Sequence, residues 1–352
     1  DVTIIGGGIL GLFTALEIRK KFPGCHIAVF ERGILPQGAT SRNAGFACFG
    51  SLTELIANIE KIGEEETCRL VEKRWRGILK LRNTFEDAAI DYHQLGGYEL
   101  FFDSKNLEKE IFQMNEMLLP IFHKKIFALN NAKIRDFGFN KTNQLIENVL
   151  EGQLHSGKLI LALQKKLREA NISYFSGTEL TGYTKLQDCL EFEINHQTSF
   201  KTQKLIITTN GLVPDSIQNV KPGRGQVLIT NTIQDLQIKG CFHFNQGYYY
   251  FRNIGNRILL GGGRQLDFEG ETTSDFGLND DIQSDLIDKL KMIILPHTRF
   301  EIFKQWSGIM AFEDNHKTVI QPLDNNVLYA MNCNGMGISL SPITAEELMN
   351  YI

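Results

Sequence analysis

The stretch Val2-Thr3-Ile4-Ile5-Gly6-Gly7-Gly8-Ile9-Leu10-Gly11-Leu12-Phe13-Thr14-Ala15 decides the fold. Its first four residues are β-branched and mostly apolar, as a buried parallel strand requires. The glycines end that strand, and Leu12 to Ile18 reads as a helix. His26-Ile27-Ala28-Val29-Phe30 supplies a second strand that ends in Glu31. The unit is βαβ with G-x-G-x-x-G at Gly6, Gly8 and Gly11, and an acid ~20 residues further on. Gly6 makes the tight turn and Gly8 lets backbone approach a pyrophosphate. Gly11 and Ala15 let the helix pack closely on the sheet, and the helix N-terminus, from Ile9 on, faces the phosphate charge. Glu31 accepts hydrogen bonds from ribose hydroxyls. The motif alone does not separate FAD from NAD.

Composition bounds the rest. The chain has 352 residues, 37 Lys plus Arg against 41 Asp plus Glu, and a formal charge of −4. A mild acidic excess without a basic block argues against nucleic acid and anionic membrane as partners. Six cysteines (Cys25, Cys48, Cys68, Cys189, Cys241, Cys333) stand singly, which suits reduced thiols and a cytoplasmic location, with peripheral membrane association left open. No apolar run reaches the ~18 residues of a membrane span. The sequence opens at Asp1 on the threshold of a strand, so we expect the native start to precede it. No H-E-x-x-H, nucleophile elbow or P-loop occurs, so we expect no metal, serine-hydrolase or nucleotide-triphosphatase site. Thirty-two glycines exceed the ~25 that average usage gives, and the excess is clustered.

A second polar loop follows Glu31: Arg32-Gly33-Ile34-Leu35-Pro36-Gln37-Gly38-Ala39-Thr40-Ser41-Arg42-Asn43-Ala44-Gly45. NAD needs no such loop, whereas a longer ligand does. Here the chain resembles the D-amino-acid oxidase (DAO) superfamily of flavoproteins, which includes glycine, sarcosine and γ-glutamylputrescine oxidases and D-amino-acid dehydrogenases. Four further segments carry the resemblance: Glu151 to Leu159, Lys204 to Gly211, Pro222 to Val227, and Asn334 to Pro342. It implies non-covalent FAD held by Arg32, Ser41, Arg42, Asn43, Ala44, Gly45, Gly211, Gly308, Gly335, Met336, Gly337 and Ile338, besides the first motif. Ser341 and Pro342 read as the N-cap and first residue of a C-terminal helix running to Ile352.

The resemblance also implies an α/β fold: a glutathione-reductase-like Rossmann FAD-binding domain interleaved with a mixed-sheet, α+β substrate domain. The FAD part is expected over 1–80, 145–215 and 306–352, and the substrate part over 81–144 and 216–305. Along Tyr248-Tyr249-Tyr250 successive side chains alternate faces, so Tyr248 and Tyr250 point one way. By resemblance, Tyr250, Tyr248, Arg252 and Met310 contact substrate. Met310 stands where the family's amino-acid oxidases often carry an arginine for the substrate carboxylate; either Arg252 replaces it or the substrate is not a simple α-amino acid. Ala311 falls where sarcosine oxidases attach FAD covalently, and Leu259 where they keep an oxygen-activating lysine. The implied activity is oxidation of the C–N bond of an amine or amino acid, the flavin accepting the hydride with no obligatory side-chain base. The electron acceptor is O2 or another carrier. Alternatives are a 2-hydroxy-acid dehydrogenase of the same superfamily and a non-catalytic flavin-binding protein.

Overall fold

The computed structural model describes residues 1–212, 217, 220–313, 317–332 and 334–352. Val2–Ile5 lies inside a six-stranded sheet ordered Val319–Asp324, Val327–Met331, Lys204–Ile207, Val2–Ile5, Ile27–Glu31, Ser173–Ser176. All its pairings are parallel except that of the edge strand Val319–Asp324. Val2–Ile5 is buried along its length, because sheet partners flank it on both sides and other layers cover both faces. The helix Ile9–Lys21 buries residues on every side, as it lies between the sheet and the helices Glu64–Thr84, Ser156–Glu169 and Gly337–Leu348. On the other face a three-stranded antiparallel sheet, Leu180–Lys185, Leu190–Ile194 and Thr198–Thr202, packs Phe192 and Phe200 on Phe30. The chain reverses its direction of travel across the sheet next to Val2–Ile5. In such a sheet, ligands bind beyond the carboxyl ends of the strands at that crossing.

A second, eight-stranded sheet runs Ile302–Phe312, Lys221–Thr230, Arg257–Gly262, Tyr249–Ile254, Cys241–Phe244, Gly97–Phe101, Gln144–Asn148, Phe127–Leu129. Only the pairing of Cys241–Phe244 with Gly97–Phe101 is parallel. One face carries stacked cross-strand aromatic pairs, Phe242 on Phe251 at 4.6 Å and Phe244 on Tyr249 at 4.7 Å between centroids. The helix Asp280–Lys289 covers that face with Ile282 and Leu286. The opposite face turns toward the loop at Ala44–Phe46, joined to it through Val227, Leu259, Tyr250 and Trp306. This is the mixed α/β architecture that the resemblance implies.

The expected seams at 80/81, 144/145 and 305/306 fall inside the helix Glu64–Thr84 and the strands Gln144–Asn148 and Ile302–Phe312. The seam at 215/216 lies outside the described residues, as does Cys333. The C-terminal helix spans Gly337–Leu348, with Met336 as its N-cap and Pro342 inside it. Ser341 is therefore no cap: its buried hydroxyl accepts from the Asn332 amide at 2.7 Å. Packing on the helices Ile9–Lys21 and Glu64–Thr84 buries most of this helix and overrides the local Ser-Pro signal, which costs the Ile338 carbonyl its intrahelical donor. The five described cysteines are free thiols. Among the described residues no helix is long and apolar enough to cross a membrane.

Candidate functional site

At the end of Val2–Ile5 the backbone turns through Gly6 at φ +108°. A Cβ on Gly11 would lie 2.0 Å from the Gly6 carbonyl oxygen, so only glycine allows the helix to start this close to the turn. Gly8 is the N-cap and offers no side-chain acceptor, and the first turn holds no acid. The first-turn N–H groups are thus left to a ligand, with Ile9 N–H donating to Thr40 Oγ1 at 3.2 Å. Glu31 accepts from Gly7 N–H at 2.8 Å and from Gly33 N–H at 3.0 Å. Those two bonds fix the carboxylate and leave lone pairs for ribose hydroxyls.

The Tyr174 hydroxyl lies beside this carboxylate, buried and 2.7 Å from where a Gly7 Cβ would be, with Gln164 also in reach. Burial raises its pKa to about 12, with Glu31 adding to the shift, so it is a neutral donor and acceptor. Sequence reasoning missed Tyr174; its strand enters the site only through parallel pairing with Ile27–Glu31, which no local pattern announces. An uncapped helix start, an anchored acid and a buried hydroxyl beside it together fit the adenosine diphosphate half of a dinucleotide.

The second loop is organised by its own polar side chains. Ser41 donates to the Pro36 carbonyl. Asn43 donates to the Ala39 and Thr40 carbonyls, and its oxygen accepts from Gly45 N–H at 2.7 Å and Ser156 at 2.6 Å. Arg42 donates to the Gln37 carbonyl at 2.9 Å and the Ser307 carbonyl at 3.1 Å, and its guanidinium lies 4.2 Å from the Phe276 ring centroid. Arg32 reaches away to Glu179 at 3.3 Å, an exposed pair. The structure brings Ser41, Arg42 and Asn43 together, and their hydrogen bonds hold loop backbone. Trp306 Nε1 donates to the Arg42 carbonyl at 3.0 Å, tying the loop to the large sheet.

Gly45 has φ +77° and its carbonyl accepts from Leu154 N–H at 2.8 Å. The same carbonyl receives Arg252 Nη1 at 3.4 Å. Arg252 is 5% exposed, and burial lowers its pKa. The structure therefore places Arg252 beneath the second loop as its support. At the chain's other end Gly335, at φ +77°, leads into the first turn of Gly337–Leu348, whose N-cap again contributes no side-chain bond. Met336 and Ile338 flank this second uncapped start. The Met336 sulfur lies 4.0 Å from the Cys48 thiol.

Four glycines share one face of the large sheet. In register, Gly225 opposes Gly308, Met310 opposes Gly223, and Gly261 opposes Tyr250. Neighbouring side chains occupy the space that Cβ atoms would need. The Tyr250 ring would meet a Gly261 Cβ at 2.6 Å, the Met310 methyl a Gly225 Cβ at 2.8 Å, and the Phe312 ring a Gly223 Cβ at 2.4 Å. A Gly308 Cβ would lie 3.2 Å from Arg42 Cβ, and a Gly211 Cβ 2.5 Å from the Met310 carbonyl. Burial raises the Tyr250 phenol to about 12. Tyr248 sits just before its strand, 40% exposed and edge-on to Phe268. Tyr249 points to the other face and donates to Asp285 at 2.7 Å.

The sequence profile of DAO, FAD dependent oxidoreductase, matches residues 1–351. The chain belongs to the DAO family. FAD is accordingly the cofactor of this DAO-family oxidoreductase, and the two uncapped helix starts with Glu31 and Tyr174 fit it. A probable oxidoreductase, OrdL, of Haemophilus influenzae is 20% identical, over all of this chain and 82% of its own length. L-proline dehydrogenase from P. horikoshii superposes with a TM-score of 0.78 at 18% identity, covering 99% of this chain and 92% of that one. Glycine oxidase from Geobacillus kaustophilus gives 0.76 at 17% identity, covering 100% and 94%. At these identities the likeness shows the fold.

Proposed function

We propose that this DAO-family protein oxidises the C–N bond of an amino acid or a related carboxylate-bearing amine on the glycine-floored face. Support comes from its structural neighbours, the L-proline dehydrogenase and the glycine oxidase, which are named for amino acids. The observation that carries the reading is Arg264. Its guanidinium lies over the Phe312 ring at 4.2 Å and 5.3 Å from that of Phe268. It approaches Gly223 on the same face as Met310, its Nε is buried without a partner, and Nη2 donates to Thr272 at 3.1 Å. A half-buried arginine with free donors takes a carboxylate in a two-bond clamp. We place Arg264 on the carboxylate ahead of Arg252, whose Nη1 also supports the second loop.

The bound flavin supplies two-electron acceptance. The chain's residues do the rest: Gly6, Gly8, Gly11, Glu31 and Tyr174 hold the adenosine diphosphate, while Gly45, Gly335, Gly337 and Ile338 bring backbone to the ring. Tyr250 and Met310 shape the substrate side, and the apolar cluster of buried Leu259 with half-buried Tyr250 and Trp306 limits water there. Ala311 offers no atom for covalent attachment, so we assign non-covalent FAD. Leu259, 2% exposed in an apolar cluster, places no cation there for oxygen activation, which favours a dehydrogenase passing electrons to another acceptor. The test is anaerobic bleaching of the flavin by a panel of amines, D- and L-amino acids and 2-hydroxy acids. Bleaching by amino acids but not by decarboxylated amines supports the reading. Bleaching by hydroxy acids alone, or by nothing, overturns it.

A further inference from the structure

Behind Phe46 the large sheet carries a polar row that the reading above does not use. His243 is the register partner of Tyr250 on one side and of Glu99 on the other. The Phe46 ring touches both His243 and Tyr250 edge-on, at 5.2 and 5.8 Å. His243 is 8% exposed and its Nε2 has no hydrogen-bond partner. It points at Glu151, whose Oε2 is 3.8 Å away, whose Oε1 also lacks a partner, and which is 1% exposed. That separation exceeds a direct hydrogen bond, and a small rotation of either side chain closes it. A buried imidazole nitrogen left without a partner and facing a buried carboxylate calls for an explanation.

We propose that Glu151 and His243 form a buried proton-acceptor pair serving the Tyr250 face, taking the proton that an ammonium substrate must lose before it can be oxidised. The proposal rests on the amine reading. The N–H bond of the ammonium breaks and the proton passes through His243, forming an O–H bond on Glu151. The lone pair left on nitrogen becomes the second C=N bond as the neighbouring C–H bond gives its hydrogen and two electrons to FAD.

The surroundings suit the role. Burial, then the charge of Glu54, raises Glu151 to about 8, against the pull of the Phe49 and Gly50 N–H groups. Burial lowers His243 to about 4, with Glu54 opposing, so the imidazole is neutral and free to relay. Glu54 is itself paired with the buried Arg74 at 2.8 Å. Glu99, raised to about 7 chiefly by burial, is tied up by Thr53. The nearby thiols Cys48 and Cys241 are pushed up by burial and by Glu151, and Arg252 is committed to Gly45. Glu151 is thus the acceptor whose pKa lies close to working pH.

The experiment uses the FAD-loaded full chain and an amino acid that bleaches it. In the wild type, anaerobic bleaching should accelerate about tenfold per pH unit up to a plateau near pH 8. Glu151→Gln should be about 100-fold slower above pH 8 and converge with the wild type near pH 6. Infrared spectra supply a readout independent of turnover: a buried carboxylic-acid C=O band should vanish between pH 7 and 9 in the wild type and be missing from Glu151→Gln. If Glu151→Gln does not fold, His243→Gln carries the test, with slower bleaching and a shifted infrared band. An unaltered pH profile in the variant, or no titrating band in the wild type, overturns the proposal while leaving the amine reading intact. If no amine bleaches the flavin at any pH, the amine reading and its proton step both fail, whatever the infrared shows.

Discussion

Gly261 is where the shape of the substrate face can be tested by one methyl group. The Cβ of Gly261→Ala would come within 2.6 Å of three atoms of the Tyr250 ring, Cε2, Cζ and Oη. Ordinary contact is about 3.5–4.0 Å, so the ring must move by roughly 1 Å. It cannot swing freely, since Phe46 meets it edge-on and His243 stands beside it in register. Overpacking of this kind costs about 1–3 kcal/mol. Replacing glycine at a backbone without positive φ returns ~0.4–1 kcal/mol through the unfolded chain. The net loss should therefore be about 0.5–2 kcal/mol, measured by denaturant unfolding with FAD saturating in every sample. A double-mutant cycle isolates the cause. In a Tyr250→Ala background the same methyl meets no ring and should cost nothing, giving a coupling of ~1 kcal/mol or more. The substituted enzyme should also show a raised KM for its amine substrate, because the displaced ring lies on the substrate face. An equal cost of Gly261→Ala in both backgrounds would refute the placement of Tyr250 across Gly261.

The other predictions concern the cofactor turn, the carboxylate and the buried acid. Gly11→Ala would put a Cβ 2.0 Å from a backbone oxygen that has no side chain to yield; we expect at least ~2 kcal/mol of lost FAD affinity, about 30-fold in Kd, read by fluorescence of released flavin, and unchanged affinity would sink the assignment of this turn. Arg264→Lys keeps the charge and loses the planar fork, so KM for a carboxylate-bearing amine should rise about tenfold or more while a simple amine is unaffected; equal effects on both would remove Arg264 from the site. Stability should depend on pH through Glu151. Its folded pKa of about 8 lies above the ordinary 4.5, so the folded chain holds the extra proton across that window and stability falls as pH rises through it, by up to ~1.4 kcal/mol per unit, levelling off above 8. His243 is depressed from 6.5 to about 4 and acts in the opposite sense only below pH 6.5. Between pH 7 and 8 the wild type should therefore lose stability to denaturant while Glu151→Gln holds level; parallel slopes would contradict a buried, raised Glu151.

The βαβ unit was legible because each part is local. A β-branched run, three glycines, a helix and an acid lie within about thirty residues, and every one answers to backbone geometry or strand burial. The C-terminal helix shows the limit of such signals. Ser341-Pro342 is a good helix start in isolation, yet the helix begins at Gly337. Two neighbouring helices bury it so completely that packing outweighs the hydrogen bond lost at the proline. Arg252 shows a related limit. Its place on that face followed from strand alternation, but its bond to the carbonyl of Gly45, more than two hundred residues earlier, could not be read from the sequence. Glu151, His243 and Tyr174 were illegible because their partners come from strands paired at long range.

Glycine therefore does two different things here, and only one can be read without the register. At Gly6, Gly11 and Gly45 the requirement is backbone: a positive φ, or a carbonyl 2.0 Å from any Cβ. Such positions are set by the residues next to them and show as a motif. At Gly223, Gly225, Gly261 and Gly308 the requirement comes from across the sheet, where the Phe312, Met310, Tyr250 and Arg42 side chains lie over the missing Cβ atoms. Those four belong to three strands that pair antiparallel, and no spacing within any one of them predicts the row. The consequence is functional. Because those side chains lie flat on a floor without Cβ atoms, exchanging one large residue on this face for another, Met310 for arginine for example, recasts the substrate side without moving the strands. In the proposed reading, cofactor binding rests mainly on the local glycines, and the cross-sheet set shapes the side proposed for substrate. That difference explains why the local glycines were plain in the sequence and the cross-sheet row was not.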